Sequence, residues 1–201
     1  MSGPHDFDFL HGDWEVRHRR RTDFLDPGGD WEEFPATTRC LPFFDGAANV
    51  DEIDMPYLGT RGLTLRLFDR ESGQWSLNWA SSGSGRLFPP VIGGFDGTDG
   101  TGDEDGSDGS DGTGDEEGSA EKKGVLQQGG IRGEFYGDDT HDGKDVRVRF
   151  VWSGISATTA RWEQAFSTDG GETWLTNWVM DFTRLRPGPP SGPSASGTPA
   201  G

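Results

Sequence analysis

Residues 144–184 read KDVRVRFVWSGISATTARWEQAFSTDGGETWLTNWVMDFTR. Apolar side chains recur there at every second position. Val146, Val148, Phe150 and Trp152 alternate with Arg147 and Arg149; Trp162, Gln164 and Phe166 oppose Arg161, Glu163 and Ala165; Trp174, Trp178, Met180 and Phe182 share a face. A period of two belongs to a strand with one buried face, and aromatic and β-branched residues suit a pleated surface. The link Ser167-Thr168-Asp169-Gly170-Gly171 has the Asp and Gly that a tight hairpin needs. Parallel strands need a crossover of a dozen or more residues, so these runs form an antiparallel meander.

The same pattern extends towards the N-terminus. Trp14, Val16 and His18 alternate with Glu15, Arg17 and Arg19; leucines 63, 65 and 67 alternate with Thr64 and Arg66; Trp75, Leu77 and Trp79 alternate with Ser76, Asn78 and Ala80. Turn residues at 69–73 and 142–143 separate further runs. About ten strands are predicted, near 12–22, 30–41, 46–55, 60–69, 73–81, 86–95, 130–138, 144–153, 158–167 and 173–185. No segment carries a sustained helical stripe. The fold expected is all-β, an antiparallel up-and-down barrel, because closure removes the unpaired edges of the sheet. A short turn at 5–11 offers Phe7, Phe9 and Leu10 as a plug. A barrel of this size can hold one small molecule, although 8 Trp and 13 Phe could instead fill it.

Two stretches stand apart from the single domain expected over 5–186. Residues 96–123, rich in Gly and Asp, have no aromatic or β-branched apolar residue to offset ordering entropy, and read as a disordered acidic insert. Residues 187–201, rich in Pro, Gly and Ser, read as a disordered tail. The insert explains most of the charge. The chain carries 18 basic and 35 acidic residues, net −17, and eleven of the acids lie between Asp96 and Glu121. The remaining 24 acids face the 18 bases, a net of −6, which is an ordinary surface. Nucleic-acid binding needs a basic footprint and is not expected. The insert does not match a calcium loop: counted from Asp103, position 5 is Ser107 and position 6 is Asp108, where an EF-hand needs an acid and a Gly.

No window approaches 18 consecutive apolar residues, and Met1–Asp6 shows neither a basic start nor an apolar core. No membrane helix or secretory signal is expected, and the expected location is cytoplasmic. Cys40 is the single cysteine, beside Leu41, Pro42, Phe43 and Phe44, and reads as a buried structural thiol.

The segment Phe7-Asp8-Phe9-Leu10-His11-Gly12-Asp13-Trp14 resembles the opening of a lipocalin-like (calycin) barrel, in which a helical turn precedes Gly-x-Trp. The resemblance implies that Gly12 and Trp14 begin the first strand and that a basic residue near the end of the last strand, Arg184 before Arg186, packs over Trp14. The segments NVDEIDMP, RGLTLRLFDRESGQWSLNWA and ARWEQAFSTDGGETWLTNWVMDFTR resemble a bacterial family of lipocalin-like barrels of unknown function. That resemblance implies the fold and supplies no chemistry. Haem-binding barrels of the nitrobindin kind have glycines after the Trp and a histidine ligand near the C-terminus. Here Glu15-Val16-Arg17-His18 follows Trp14 and the last histidine is His141, so no haem is expected. Ser167–Trp174 matches an Asp-box, with Asp169, Gly171 and Trp174 as its structural residues.

No metal cluster, cofactor or nucleophile elbow is evident. The chemistry expected sits on polar residues among apolar ones, since a polar group inside a barrel needs a partner or a ligand. The candidates are Gln164 between Trp162 and Phe166, Thr176 between Trp174 and Trp178, then Asn49, Glu52, Arg86, Tyr136 and His18. The leading expectation is a non-catalytic barrel for a small apolar or amphipathic molecule. A cofactor-free lyase, isomerase or hydrolase is the second, with Glu52 as acid/base and Arg86 and Tyr136 converging on it. A filled barrel with an acidic interaction loop is the third. The oligomeric state is left open.

Overall fold

A computed structural model describes residues 2–96 and 130–185. Apart from Asp96, the expected insert at 96–123 lies outside the described residues, as do Arg186 and the expected tail at 187–201. The strands are β1 (Gly12–Arg21), β2 (Trp31–Phe43), β3 (Ala48–Met55), β4 (Thr60–Asp69), β5 (Gln74–Ser81), β6 (Arg86–Leu87), β7 (Val91–Asp96), β8 (Arg132–His141), β9 (Lys144–Ser153), β10 (Thr159–Ser167) and β11 (Leu175–Arg184). Each pairs antiparallel with its neighbours in sequence, except that β7 pairs with β5 rather than β6, and β1 pairs with β11. The result is an all-β, closed, ten-stranded antiparallel barrel, with β6 as a spur on β5.

The strand expected at 86–95 is split. Pro89 and Pro90 separate β6 from β7; proline donates nothing to a ladder and fixes φ, so the sheet cannot run through two in succession.

The strand directions give the barrel two different ends. The N-terminal segment, the β2–β3 and β4–β5 turns and the β9–β10 turn gather at one. The β1–β2 loop, the 56–59 turn and the β10–β11 hairpin gather at the other. The first end is sealed. A 3₁₀ turn at Asp8–Leu10 places Phe7 and Leu10 inside, fully buried. The Phe7 ring meets Trp75, Phe95 and Trp152 edge-on at 5.0, 4.9 and 5.9 Å between centroids. Edge-to-face pairs of this kind each add about 0.5–1.5 kcal/mol beyond burial.

The seal is held by the arrangement that the resemblance implied. Arg184 lies over the Trp14 ring, with its guanidinium carbon 4.1 Å from the centroid. Arg184 donates from Nε to Ala157 O (2.7 Å) and from its two terminal nitrogens to His11 O and Phe9 O. Trp14 Nε1 donates to Leu10 O at 2.7 Å. Gly12 has φ +108, which L side chains rarely adopt, and Arg184 Nη1 lies 3.1 Å from where a Cβ would sit.

The outer wall holds an inversion. On β4, Thr64 and Arg66 face inward and are buried, while Leu63, Leu65 and Leu67 form the outer face. Leu63 is 41% exposed. The apolar row of that strand is therefore not its core row.

Candidate functional site

Behind the plug the barrel is hollow. A chamber of ≈ 70 Å³ lies near the middle, and an outer compartment of ≈ 320 Å³ opens at the other end. Met55, Leu77, Trp79, Phe150, Gln164 and Trp178 line both, so the two adjoin. Trp79 lies over Gly62 of the neighbouring strand β4, diagonal to it in the ladder: a Cβ there would lie 1.6 Å from the Trp79 ring.

The floor of the chamber is polar. Arg66 Nη1 forms a very short ion pair with Asp51 Oδ1 and donates to Asn49 Oδ1 at 3.0 Å. Thr38 Oγ1 lies 2.9 Å from Glu52 O and 3.3 Å from Asp51 Oδ2 and donates its one hydrogen between them. Arg66 and Asp51 are both buried, and the guanidinium carbon lies 5.3 Å from the Phe7 ring centre and 5.7 Å from that of Trp152. The pair is charge-neutral, which is how a buried guanidinium can be retained.

His18 forms part of the wall. Trp178 Nε1 donates to His18 Nδ1 at 2.9 Å, and the imidazole stacks on Phe34 at 4.6 Å. An indole only donates, so Nδ1 holds the lone pair and Nε2 the proton. Burial, reinforced by Arg20, pushes the His18 pKa down to about 4, so the ring is neutral at neutral pH. His18 Nε2, Arg66 Nε and Trp152 Nε1 are buried and find no hydrogen-bond partner among the described residues. All three residues line the chamber.

Gln164 is held by its amide. Its Nε2 donates to Asn177 Oδ1 at 2.9 Å, and Asn177 Nδ2 donates to Phe24 O at 3.4 Å. Asn177 is the extra residue of a bulge: Gln164 opposes Trp178, whereas Ala165 opposes Thr176. The β1–β2 loop brings Phe24 to the mouth, where it stacks on His141 at 5.2 Å and meets Phe166 at 5.7 Å. Arg20, paired with Glu32 at 2.9 Å, lies over the Phe24 and Trp178 rings.

Of the residues singled out from the sequence, Gln164, Trp162, Trp178 and His18 line the chamber. Asn49 is fully buried beneath its floor, bound to Arg66. The other four are corrected. Glu52 points outward and pairs with Arg61 at 3.1 Å, because residues 49 and 52 lie on opposite faces of one strand. Thr176 is turned out of the barrel by the bulge at Asn177. Arg86 sits on the exposed spur, 3.5 Å from Asp139. Tyr136 points outward, donates to Glu134 and packs on Trp174. Glu52, Arg86 and Tyr136 thus do not converge, and acid/base chemistry has no centre in them.

The sequence reading missed Asp51, Thr64, Arg66, Trp79 and Phe24. Asp51 shares the inner face with Asn49, so strict alternation from Asn49 would have found it. Arg66 and Thr64 were hidden by the leucines beside them.

The Asp-box forms a structural hairpin beside the mouth. Ser167 Oγ donates to Asp169 Oδ1 at 2.6 Å, and the backbone N–H groups of Glu172 and Thr173 donate to Asp169 at 3.0 Å. These donors hold the Asp169 carboxyl far below the usual carboxylate range. Gly171 takes φ +102, and Trp174 Nε1 donates to its carbonyl at 3.0 Å. Trp174 then covers Arg149 on the outer face. Cys40 is buried, and desolvation pushes its thiol up to about 12. Among the described residues no group of three His, Cys, Asp or Glu side chains could hold a metal ion, and no helix is long and apolar enough to cross a membrane.

Fold and site together define a closed antiparallel β-barrel with one sealed end and a chamber that opens at the other. Compared with known proteins, the chain matches no family model and no curated sequence.

Proposed function

We propose that the chain is a lipocalin-like binding protein that takes a small, largely apolar molecule into the barrel without chemical turnover. The observation that carries this reading is an aromatic-walled chamber that adjoins a compartment of ≈ 320 Å³ at an unsealed end. Ligand sites are typically concave, mostly apolar and furnished with a few convergent polar groups. Here the apolar part is Leu77, Trp79, Phe150, Trp162 and Trp178, and the polar part is Gln164, His18 and the Arg66–Asp51 floor. Within the chamber, the chemistry of those groups favours binding over turnover. The Asp51 carboxylate is paired with Arg66, and His18 Nδ1 is occupied by Trp178. Neither is free to accept a substrate proton.

Native mass spectrometry of the purified protein, with solvent extraction of whatever it carries, tests the proposal. The expected result is a small molecule bound at one per barrel and displaced by added apolar probes. Saturating probe with no bound fraction, and no change in tryptophan fluorescence, would refute it.

A further inference from the structure

The unpartnered groups around the chamber are of one kind. His18 Nε2, Arg66 Nε and Trp152 Nε1 come from β1, β4 and β9, and each is a hydrogen-bond donor. No side-chain oxygen is among the buried groups left without a partner in the described residues. Their residues are 0%, 5% and 1% exposed, so bulk water does not serve them. A buried donor left unmet is destabilising, and three on residues that line one space form a demand that an incoming molecule can meet.

The charge of that molecule is constrained as well. The one buried cation on the floor, Arg66, is already matched by Asp51. The tautomer set by Trp178 makes His18 a neutral donor. A carboxylate entering here would bring an unmatched negative charge next to Asp51, and burying an unpaired charge costs far more than burying a neutral acceptor. A hydrocarbon would displace any water from the chamber and leave the donors unmet.

Resting on the binding reading above, we propose that the chamber selects a neutral carbonyl compound, such as a ketone, aldehyde, ester or quinone, with its apolar body in the outer compartment. Its oxygen accepts from the N–H groups of Arg66 and Trp152 on the floor or of His18 on the wall. Arg66 and Trp152 lie together, while His18 stands nearer Trp178. The ligand's charge and its acceptor are thus set by the polar end of the cavity, and its bulk by the aromatic mouth.

Three probes of matched body separate the alternatives in calorimetric titration of the full chain: 2-acetylnaphthalene, 2-ethylnaphthalene and 2-naphthoate. The ketone is expected to bind at least tenfold tighter than the hydrocarbon, with the carboxylate weakest. Its carbonyl stretch is expected to move to lower frequency when bound, relative to the ketone in hexane. Trp152→Phe, which keeps the ring and removes a donor, is expected to lower ketone affinity severalfold and leave 2-ethylnaphthalene unchanged. Equal affinity of ketone and hydrocarbon, tightest binding of the carboxylate, an unshifted stretch, or equal losses in the variant each overturn the carbonyl proposal while the binding reading stands. Failure of all three probes overturns both. The stretch is read on the unmodified chain, so it decides the matter even if Trp152→Phe does not fold.

Discussion

At the sealed end, Phe7, Trp14, Trp75 and Trp152 are buried to 1% exposure or less, and Arg184 ties the last strand to the plug through two backbone carbonyls and to the β9–β10 turn through a third. At the mouth, Phe24, Phe88 and His141 come from loops and strand ends and leave ≈ 320 Å³ between them. Both ends use aromatic residues. The difference lies in what holds the aromatics: strands and an N-terminal turn tied down by Arg184 at the seal, strand ends and a nine-residue loop (22–30) at the mouth. The seal supplies rigidity and the mouth supplies access, so one kind of side chain serves stability in one place and binding in the other.

The comparison breaks if substitutions at the two ends weigh the same. Trp14→Ala removes the ring under Arg184 and is expected to cost about 3–5 kcal/mol, read as a fall in denaturant midpoint at unchanged slope. Phe24→Ala at the mouth, where the ring is 8% exposed but carried by a loop, is expected to cost less, about 2–3 kcal/mol in the same measurement, while speeding probe exchange. Comparable losses would show the mouth to be as much a part of the core as the seal.

The boundary between the regions is the chamber floor. Arg66→Met strands the Asp51 carboxylate in a buried site and is expected to destabilise by about 3–5 kcal/mol; adding Asp51→Leu is expected to recover most of it. A single variant with wild-type stability would show that the floor is open to water.

His18 sharpens the comparison through pH. Its folded pKa, about 4, lies below the ordinary 6.5, so the neutral ring contributes stability that is present above pH 6.5. That contribution is lost as pH falls from 6.5 to about 4, by about 3 kcal/mol at most. In His18→Phe the midpoint is expected to vary less with pH across this window. The smallest effect belongs to Asp169, on the exposed hairpin. Its folded pKa lies below the ordinary 3.8, so its contribution is present above pH 3.8 and is lost as pH falls further. Asp169→Asn is expected to lower Tm slightly at pH 7 and to flatten the acid limb; an unchanged acid limb would assign that limb to other carboxylates.

The fold was legible because period-two runs and turn residues carry local information, and the barrel's neighbours in space are its neighbours in sequence. The strand split at Pro89-Pro90 was legible too, but was read through. The site was legible only where alternation ran unbroken, as for Trp162, Gln164 and Trp178. A bulge shifts every residue beyond it to the other face, and Asn177 does this to Thr176. On β4 the signal was reversed outright. The leucines there satisfy the pattern of a buried row, yet the row that carries Arg66 is the buried one, because Asp51 and Asn49 across on β3 give it partners. Such pairing depends on register between strands, which no single run of residues encodes.

The seam between β1 and β11 has a consequence for synthesis. Each hairpin of the meander can form as its second strand leaves the ribosome, but Trp14 faces Arg184 across the seam. At about 5–20 residues per second, the free edge of β1 waits roughly ten seconds or more for its partner. Through that interval the nascent sheet is an open ribbon with a templating edge, and Arg17, Arg19 and Arg21 lie along it. Positive charge on an edge discourages pairing with other chains. The arginines of β1 thus suit a task that ends when the ring closes: keeping unfinished barrels apart.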